Sequence, residues 1–158
     1  QSTTGKGTKF CLYLPVTRKN LTQNKETVPK ETYMGNENIL VVDDVEEQRI
    51  IASAMLEKIG YSVAAVSSGE EALNHLESNH VDLVVLDMVM EPGMDGLDTY
   101  KELIKKNPYQ KVIIASGFSE TDRVKEAQKL GAGTYVKKPY LMEIIGRAIR
   151  AELDKSAI

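Results

Sequence analysis

Three aspartates, a lysine and a serine stand out in this sequence for the chemistry that their types and spacing allow. Asp43 and Asp44 form a doublet after a short apolar run, Asp87 ends another, Ser116 precedes Gly117, and Lys138 precedes Pro139. Carboxylates gathered in one pocket repel: at ~4 Å and an effective dielectric near ~20, each pair costs roughly 4 kcal/mol. A fold tolerates this when a cation occupies the pocket or when some of the acids hold a proton. Few hard oxygen ligands, with room left for water, suit Mg²⁺ better than a caged Ca²⁺. Either acid of the doublet alone serves equally well as a helix cap. Asp87 on an adjacent strand makes a shared pocket the stronger reading. Lys138 can carry its ammonium to a carboxylate or phosphoryl oxygen. Pro139 excludes helical geometry at that lysine, whereas Lys137 reads as solvated. Ser116 is by default a turn residue, but at a strand end its hydroxyl can bind a phosphoryl oxygen.

The elements that must position these groups are legible as two alternating signals. Apolar runs at 39–42, 62–66, 83–86, 112–115 and 134–136 have the character of strands buried on both faces. Between them lie helical patterns: Ile51, Met55 and Ile59; Ala72, Leu73 and Leu76; Leu97, Tyr100, Leu103 and Ile104; Val124, Ala127 and Leu130; Ile145, Ala148, Ile149 and Leu153. Strict alternation with short connections predicts an α/β protein, a parallel sheet with helices on both faces. Five units are too few for a closed eightfold barrel, which leaves an open doubly wound sheet. Such sheets bind ligands beyond the carboxyl ends of their strands, where the strand order switches. The polar groups named above all sit at those ends.

Composition bounds the function. The 158 residues suit one domain with some excess, and 42% apolar with 27% charged residues is ordinary for a globular protein. A net charge of −3, with no basic run longer than two residues, gives no reason to expect nucleic-acid binding. Cys11 is the single cysteine, so no internal disulfide framework exists, and a reducing, cytoplasmic setting is expected. No apolar stretch approaches the ~18 residues of a membrane span, so no membrane contact is expected of this segment. Residues 17–37 are polar, lack periodicity and read as a linker. Ahead of them, Phe10-Cys-Leu-Tyr-Leu14 is a short strand-like run after a Gly/Thr-rich turn. The start, without an initiator Met or apolar signal, reads as a cut through a longer chain.

Residues 38–155 resemble the receiver domain of two-component response regulators. The resemblance is carried by Val41-Val-Asp-Asp44, Val85-Leu-Asp-Met88, Met94-Asp-Gly96, Ile114-Ala-Ser116 and Tyr135-Val-Lys-Lys-Pro139. Five weak fragments in the right order are together specific. The resemblance implies a flavodoxin-like sheet with strand order 2-1-3-4-5. It makes Asp87 the phosphoacceptor and Asp44 a direct Mg²⁺ ligand. Asp43 would hold the ion through water, and the backbone carbonyl of Val89 would be a third protein ligand. Lys138 would pair with the acceptor and then with its phosphoryl group. Ser116 would be the switch hydroxyl and Tyr135 the aromatic that moves with it, altering the face of the fourth helix, fifth strand and fifth helix. The implied donor is a phosphohistidine domain of a sensor kinase, with a histidine phosphotransfer domain as a further partner and a weak homodimer allowed. The only activity implied is autocatalysed phosphorylation and dephosphorylation of the aspartate.

Some features depart from that pattern or add to it. The loop Met88-Val-Met-Glu-Pro-Gly-Met-Asp-Gly96 carries one extra residue, Glu91, before its proline, and reads as a solvated insertion that leaves Val89 in place. Val89 and Phe118, both apolar, are expected to shield an acyl phosphate and slow its hydrolysis. Met88, Met90 and Met94 read as loop packing, and His75 and His80 as surface residues. Residues 1–16 resemble the last glycine box and final strand of a histidine-kinase ATPase domain, through Gly5, Gly7, Thr8, Phe10 and Leu12-Tyr-Leu-Pro15. That places the receiver at the C-terminus of a hybrid sensor kinase, itself membrane-anchored in some architectures. Without the rest of its domain, the 10–14 run is expected to pack on a sheet edge or a neighbouring molecule. A stand-alone regulator is the alternative, and the end at Ile158 leaves no space for a DNA-binding output domain. A magnesium-dependent aspartyl-nucleophile phosphatase of the haloacid dehalogenase type would place a second aspartate where Val89 stands. A flavin site would need a phosphate loop after the first strand, and none is present.

Overall fold

The computed structural model describes residues 1–3, 5, 7–14, 29–117 and 121–155. Five parallel strands form its main sheet: β1 (Asn38–Val42), β2 (Ser62–Val66), β3 (Leu83–Asp87), β4 (Lys111–Ser116) and β5 (Tyr135–Lys137). Between and after them run α1 (Glu46–Glu57), α2 (Gly69–Ser78), α3 (Gly96–Lys106), α4 (Asp122–Lys129) and α5 (Met142–Leu153). The lateral order is β2-β1-β3-β4-β5, the flavodoxin-like doubly wound order that the family resemblance implies. No described helix is long and apolar enough to cross a membrane.

Alternation along the strands builds two cores. Ile39, Val41, Leu83, Val85, Ile113 and Ala115 face one side, where Leu56 of α1 and Ile145 and Ile149 of α5 cover them. Leu40, Val42, Val84, Leu86, Val112 and Ile114 face the other, beneath Ala72, Leu97, Leu103, Val124 and Ala127 of α2, α3 and α4. Burying each such Leu or Ile contributes about 2 kcal/mol relative to leaving it exposed. Three helices carry side-chain N-caps: Ser68 accepts from Glu71 N (3.2 Å), Asp95 from Asp98 N (3.0 Å) and Thr121 from Val124 N (3.4 Å). At the far end of α5, Lys111 Nζ donates to the carbonyls of Leu153 (2.6 Å) and Lys155 (2.8 Å), a favourable place for a cation.

Three expectations need correction. In α1 the inward positions are Ala52 and Leu56, while Ile51 is 47% exposed; Ile59 is buried but lies beyond the helix. Of the three residues read as the stripe, Met55 packs against the core and Ile59 is buried in it, so only Ile51 was misplaced. The 10–14 run is not a strand: Phe10, Leu12, Tyr13 and Leu14 are all exposed and pack on no sheet edge, and the paired residues ahead of them are Ser2–Thr3 with Gly7–Thr8. A five-residue segment without a sheet to extend cannot offset the entropy of ordering. Finally, the end of the polar 17–37 segment is docked. After a 3₁₀ turn (Lys30–Thr32), Tyr33 is buried with Ile59 and Ile145, and its carbonyl accepts from Tyr61 Oη at 3.3 Å. Residues 15–28 lie outside the described residues.

Candidate functional site

The strand order reverses between β1 and β3, and the carboxyl ends of these two strands carry the acids. Asp43 and Asp44 follow Val42, which pairs with Leu86; Asp87 is the next residue and lies opposite Ala115. Ser116 lies opposite Lys137, and Lys138 N donates to Ser116 O at 2.8 Å, so β5 delivers Lys138 beside β4. Topology alone therefore brings residues 43, 87, 116 and 138 to one edge.

Their side chains meet there. Asp43, Asp44 and Asp87 each place a carboxylate oxygen within 4.8 Å of the others. Lys138 Nζ donates to Asp87 Oδ2 at 2.8 Å and also to Asp43 Oδ2. Asp43 and Asp87 are buried, whereas Asp44 is half-buried and borders an open pocket of about 620 Å³ with Gln48, Val89, Gly117 and Lys138. The other Asp87 oxygen, Oδ1, accepts from Val89 N at 3.3 Å, so both oxygens of this carboxylate are oriented. Burial pushes the Asp87 carboxyl above its ordinary value; Lys138 pulls it back, the charge of Asp43 raises it again and the Val89 amide lowers it. Neither acid of the doublet caps α1, whose N-cap is Val45; Asp43 Oδ1 instead accepts from Val45 N at 3.0 Å.

Ser116 Oγ is fully buried and finds no hydrogen-bond partner among the described residues. An orphaned hydroxyl at this position is chemically fitted to an incoming phosphoryl oxygen. Tyr135 is half-buried, and its hydroxyl donates to Ser116 O at 3.5 Å. Val89 lines the pocket with its side chain about half exposed, and Phe118 lies outside the described residues. Met88 and Met90 pack into the core as expected, Lys137 is solvated, His75 is half-exposed and His80 is exposed.

Several contributors escaped sequence reasoning. Arg49 Nη1 donates to the backbone carbonyls of Asp43 (2.7 Å) and Asp44 (3.0 Å), clamping the doublet from the second turn of α1. A basic residue one helical turn into the element after the doublet was the available signal. Tyr140 is buried two residues past Lys138; burial, aided by the charges of Asp43 and Asp87, pushes its hydroxyl up to about 12. Gly96 is also structural to the site. A Cβ there would strike the carbonyl oxygen of Asp87 and Cα of Met88, both backbone atoms. Gly96→Ala is expected to destabilise the domain by about 2–3 kcal/mol in urea titration, because backbone cannot give way as a flexible side chain does. A loss below ~0.5 kcal/mol would show that the loop relaxes freely.

Comparison with known proteins places this geometry. The family model for the response regulator receiver domain matches residues 39–150. Sporulation initiation phosphotransferase F of Bacillus subtilis is 36% identical over 76% of this chain and 96% of its own length. Sensor kinase CckA of Brucella abortus is 31% identical over 98% of this chain, which spans only 17% of that protein. The chain spans about half or less of the length of the transcriptional regulators it matches. A crystal structure of a response regulator receiver domain protein from Clostridium thermocellum superposes with a TM-score of 0.70 at 33% identity, covering 75% of this chain and 94% of that one. With the acid cluster, the lysine and the strand order all in place, the chain belongs to the response regulator receiver family.

Proposed function

We propose that Asp87 is the phosphoacceptor of this receiver, and that Asp44, Asp43 and the Val89 carbonyl hold Mg²⁺ beside it. One observation carries this reading: a buried carboxylate whose two oxygens are oriented by Lys138 and Val89 N, at the switch point of a parallel sheet. The donor set fits the ion, since three carboxylate oxygens lie within 4.8 Å of one another and Asp44 faces an open pocket with space for water. When bound, Mg²⁺ supplies positive charge that offsets the phosphoryl oxygens and the acids around them. Asp87 attacks the phosphorus of a phosphohistidine in line. A P–O bond forms as the P–N bond breaks, and the leaving imidazole nitrogen keeps the electron pair and takes up a proton. Lys138 lies in place to neutralise an equatorial oxygen, and the Ser116 hydroxyl, which has no partner among the described residues, donates to another. The modified aspartate carries roughly two negative charges. That biases Ser116, Tyr135 and the face of α4, β5 and α5 toward a second arrangement, a shift between pre-existing states.

The donor is a phosphohistidine domain of a sensor kinase. A hybrid-kinase setting is supported by the kinase-like residues of the front end and by the alignment to Sensor kinase CckA, which extends over 98% of this chain. The test of the acceptor is labelling with acetyl phosphate, with and without Mg²⁺, followed by peptide mapping. One phosphoryl group is expected on the peptide containing Asp87, formed only when the cation is present. Label on a histidine, or labelling indifferent to Mg²⁺, would remove the assignment.

A further inference from the structure

The loop between β3 and α3 is one residue longer than the pattern it resembles, and it must still present Val89 to the pocket. Met88 N donates to Ala115 O at its base (3.3 Å), and three further backbone amides are fastened to side chains. Val89 N donates to Asp87 Oδ1 (3.3 Å), Glu91 N to Asp44 Oδ2 (3.3 Å) and Met94 N to Glu70 Oε1 (3.0 Å). The first two fastenings are to acids of the site. The third is to a residue of α2, 24 positions earlier in the chain, with no other link to the pocket. Next to it, Gly93 has φ +112°, and a Cβ built there would come within 3.0 Å of Glu70 Oε1. The loop is thus shaped to bring its backbone against the Glu70 carboxylate. Hydrogen bonding from the amides of Glu70 and Met94 holds that carboxyl below its ordinary value, so it is an anionic acceptor at neutral pH.

We infer that Glu70 is a positioning residue for the cation pocket: it takes up the extra length of the loop and thereby holds the Val89 carbonyl and the Glu91 amide in register with Asp44 and Asp87. The inference rests on the assignment of this pocket as the Mg²⁺ site. Met88 and Met90 anchor the first part of the loop in the core and Asp95 caps α3, so untying Glu70 frees the largely exposed stretch 91–94 between them, whose Glu91 amide is otherwise held by Asp44. A cation taken up by Asp44 would compete with the Glu91 amide for that carboxylate, and the Glu70 tether would then keep residues 91–94 near their place. The cost of loosening is entropic and appears in affinity for the ion.

The experiment compares wild type, Glu70→Ala and Glu70→Gln. Mn²⁺ binding is followed by electron paramagnetic resonance, the Met94 amide by hydrogen exchange, and acetyl phosphate labelling as a function of Mg²⁺. Glu70→Ala is expected to weaken Mn²⁺ binding about tenfold. It should raise exchange at Met94 and shift the Mg²⁺ half-saturation of labelling equally, while the rate at saturating Mg²⁺ stays near wild type. Glu70→Gln keeps an acceptor oxygen but not the charge, and is expected to stay within about twofold of wild type. If both variants lose affinity equally, the effect is of charge and the positioning role is overturned. It is overturned too if Glu70→Ala binds Mn²⁺ as wild type does. If wild type itself binds no Mn²⁺, the assignment of the pocket falls, and this inference with it.

Discussion

Asp87→Asn is expected to lose acetyl phosphate labelling by about three orders of magnitude or more, since no other residue of the pocket replaces its nucleophilic oxygen. The same change is expected to make the cation-free protein more stable at pH 7. The two effects share one cause. Burial raises the Asp87 carboxyl above its ordinary value in spite of Lys138, so the folded protein holds that charge less well than water does. An acid raised on folding leaves the folded state binding more protons than the unfolded one between the two values. Stability therefore falls as pH rises through the folded value, and the deficit is complete above it. Asparagine keeps the shape and an oxygen for Val89 N without the charge. Urea titration in EDTA should give Asp87→Asn the higher midpoint at pH 7, with the gap closing on acidification toward the ordinary carboxylate range. A variant less stable than wild type at pH 7 would contradict this account of the pocket.

Lys138→Met acts in the opposite direction. The Lys138 side chain, 10% exposed, pairs with both Asp43 and Asp87, so its loss leaves two buried carboxylates facing each other. Breaking such a group costs about 3 kcal/mol at neutral pH, limited because the pocket can take up a proton instead. With the ammonium gone, Asp87 is raised further, so the deficit should shrink as pH falls and Asp87 is neutral in the folded state. Added Mg²⁺ should restore part of it by binding only the folded form. Labelling is expected to fall about 100-fold at saturating Mg²⁺, the cost of removing one preorganised cation from a developing charge. Denaturation across pH, with and without Mg²⁺, separates the parts. A deficit that ignored both pH and Mg²⁺ would mean lost packing rather than lost charge.

The fold and the centre of the site were legible because of one geometric regularity. In a parallel sheet every strand ends at the same edge, so Asp43, Asp87, Ser116 and Lys138, each next to an apolar run, had to converge. What stayed hidden depended on contacts without period. Arg49 and Tyr140 act through a backbone clamp and through burial, and neither residue type announces that. Glu70 looked like one more acid in the first turn of a helix, and only its distance to Met94 distinguishes it. Ile51 was misplaced on the inward face of α1 because it outweighs Ala52 in hydrophobicity, yet Ala52 is the residue small enough to sit against the sheet.

Tyr33 was hidden in a polar stretch for the same reason, and its burial has a mechanical consequence. Its ring lies against Gly146 of α5, Gly35 N donates to Ile59 O at 3.2 Å, and Glu37 pairs with Arg150 of α5 at 2.6 Å. The packed unit therefore begins ahead of the first strand, by Tyr33, and its leading segment is latched to α5. Torque from that side reaches α5 first, the helix that borders the face proposed to answer phosphorylation.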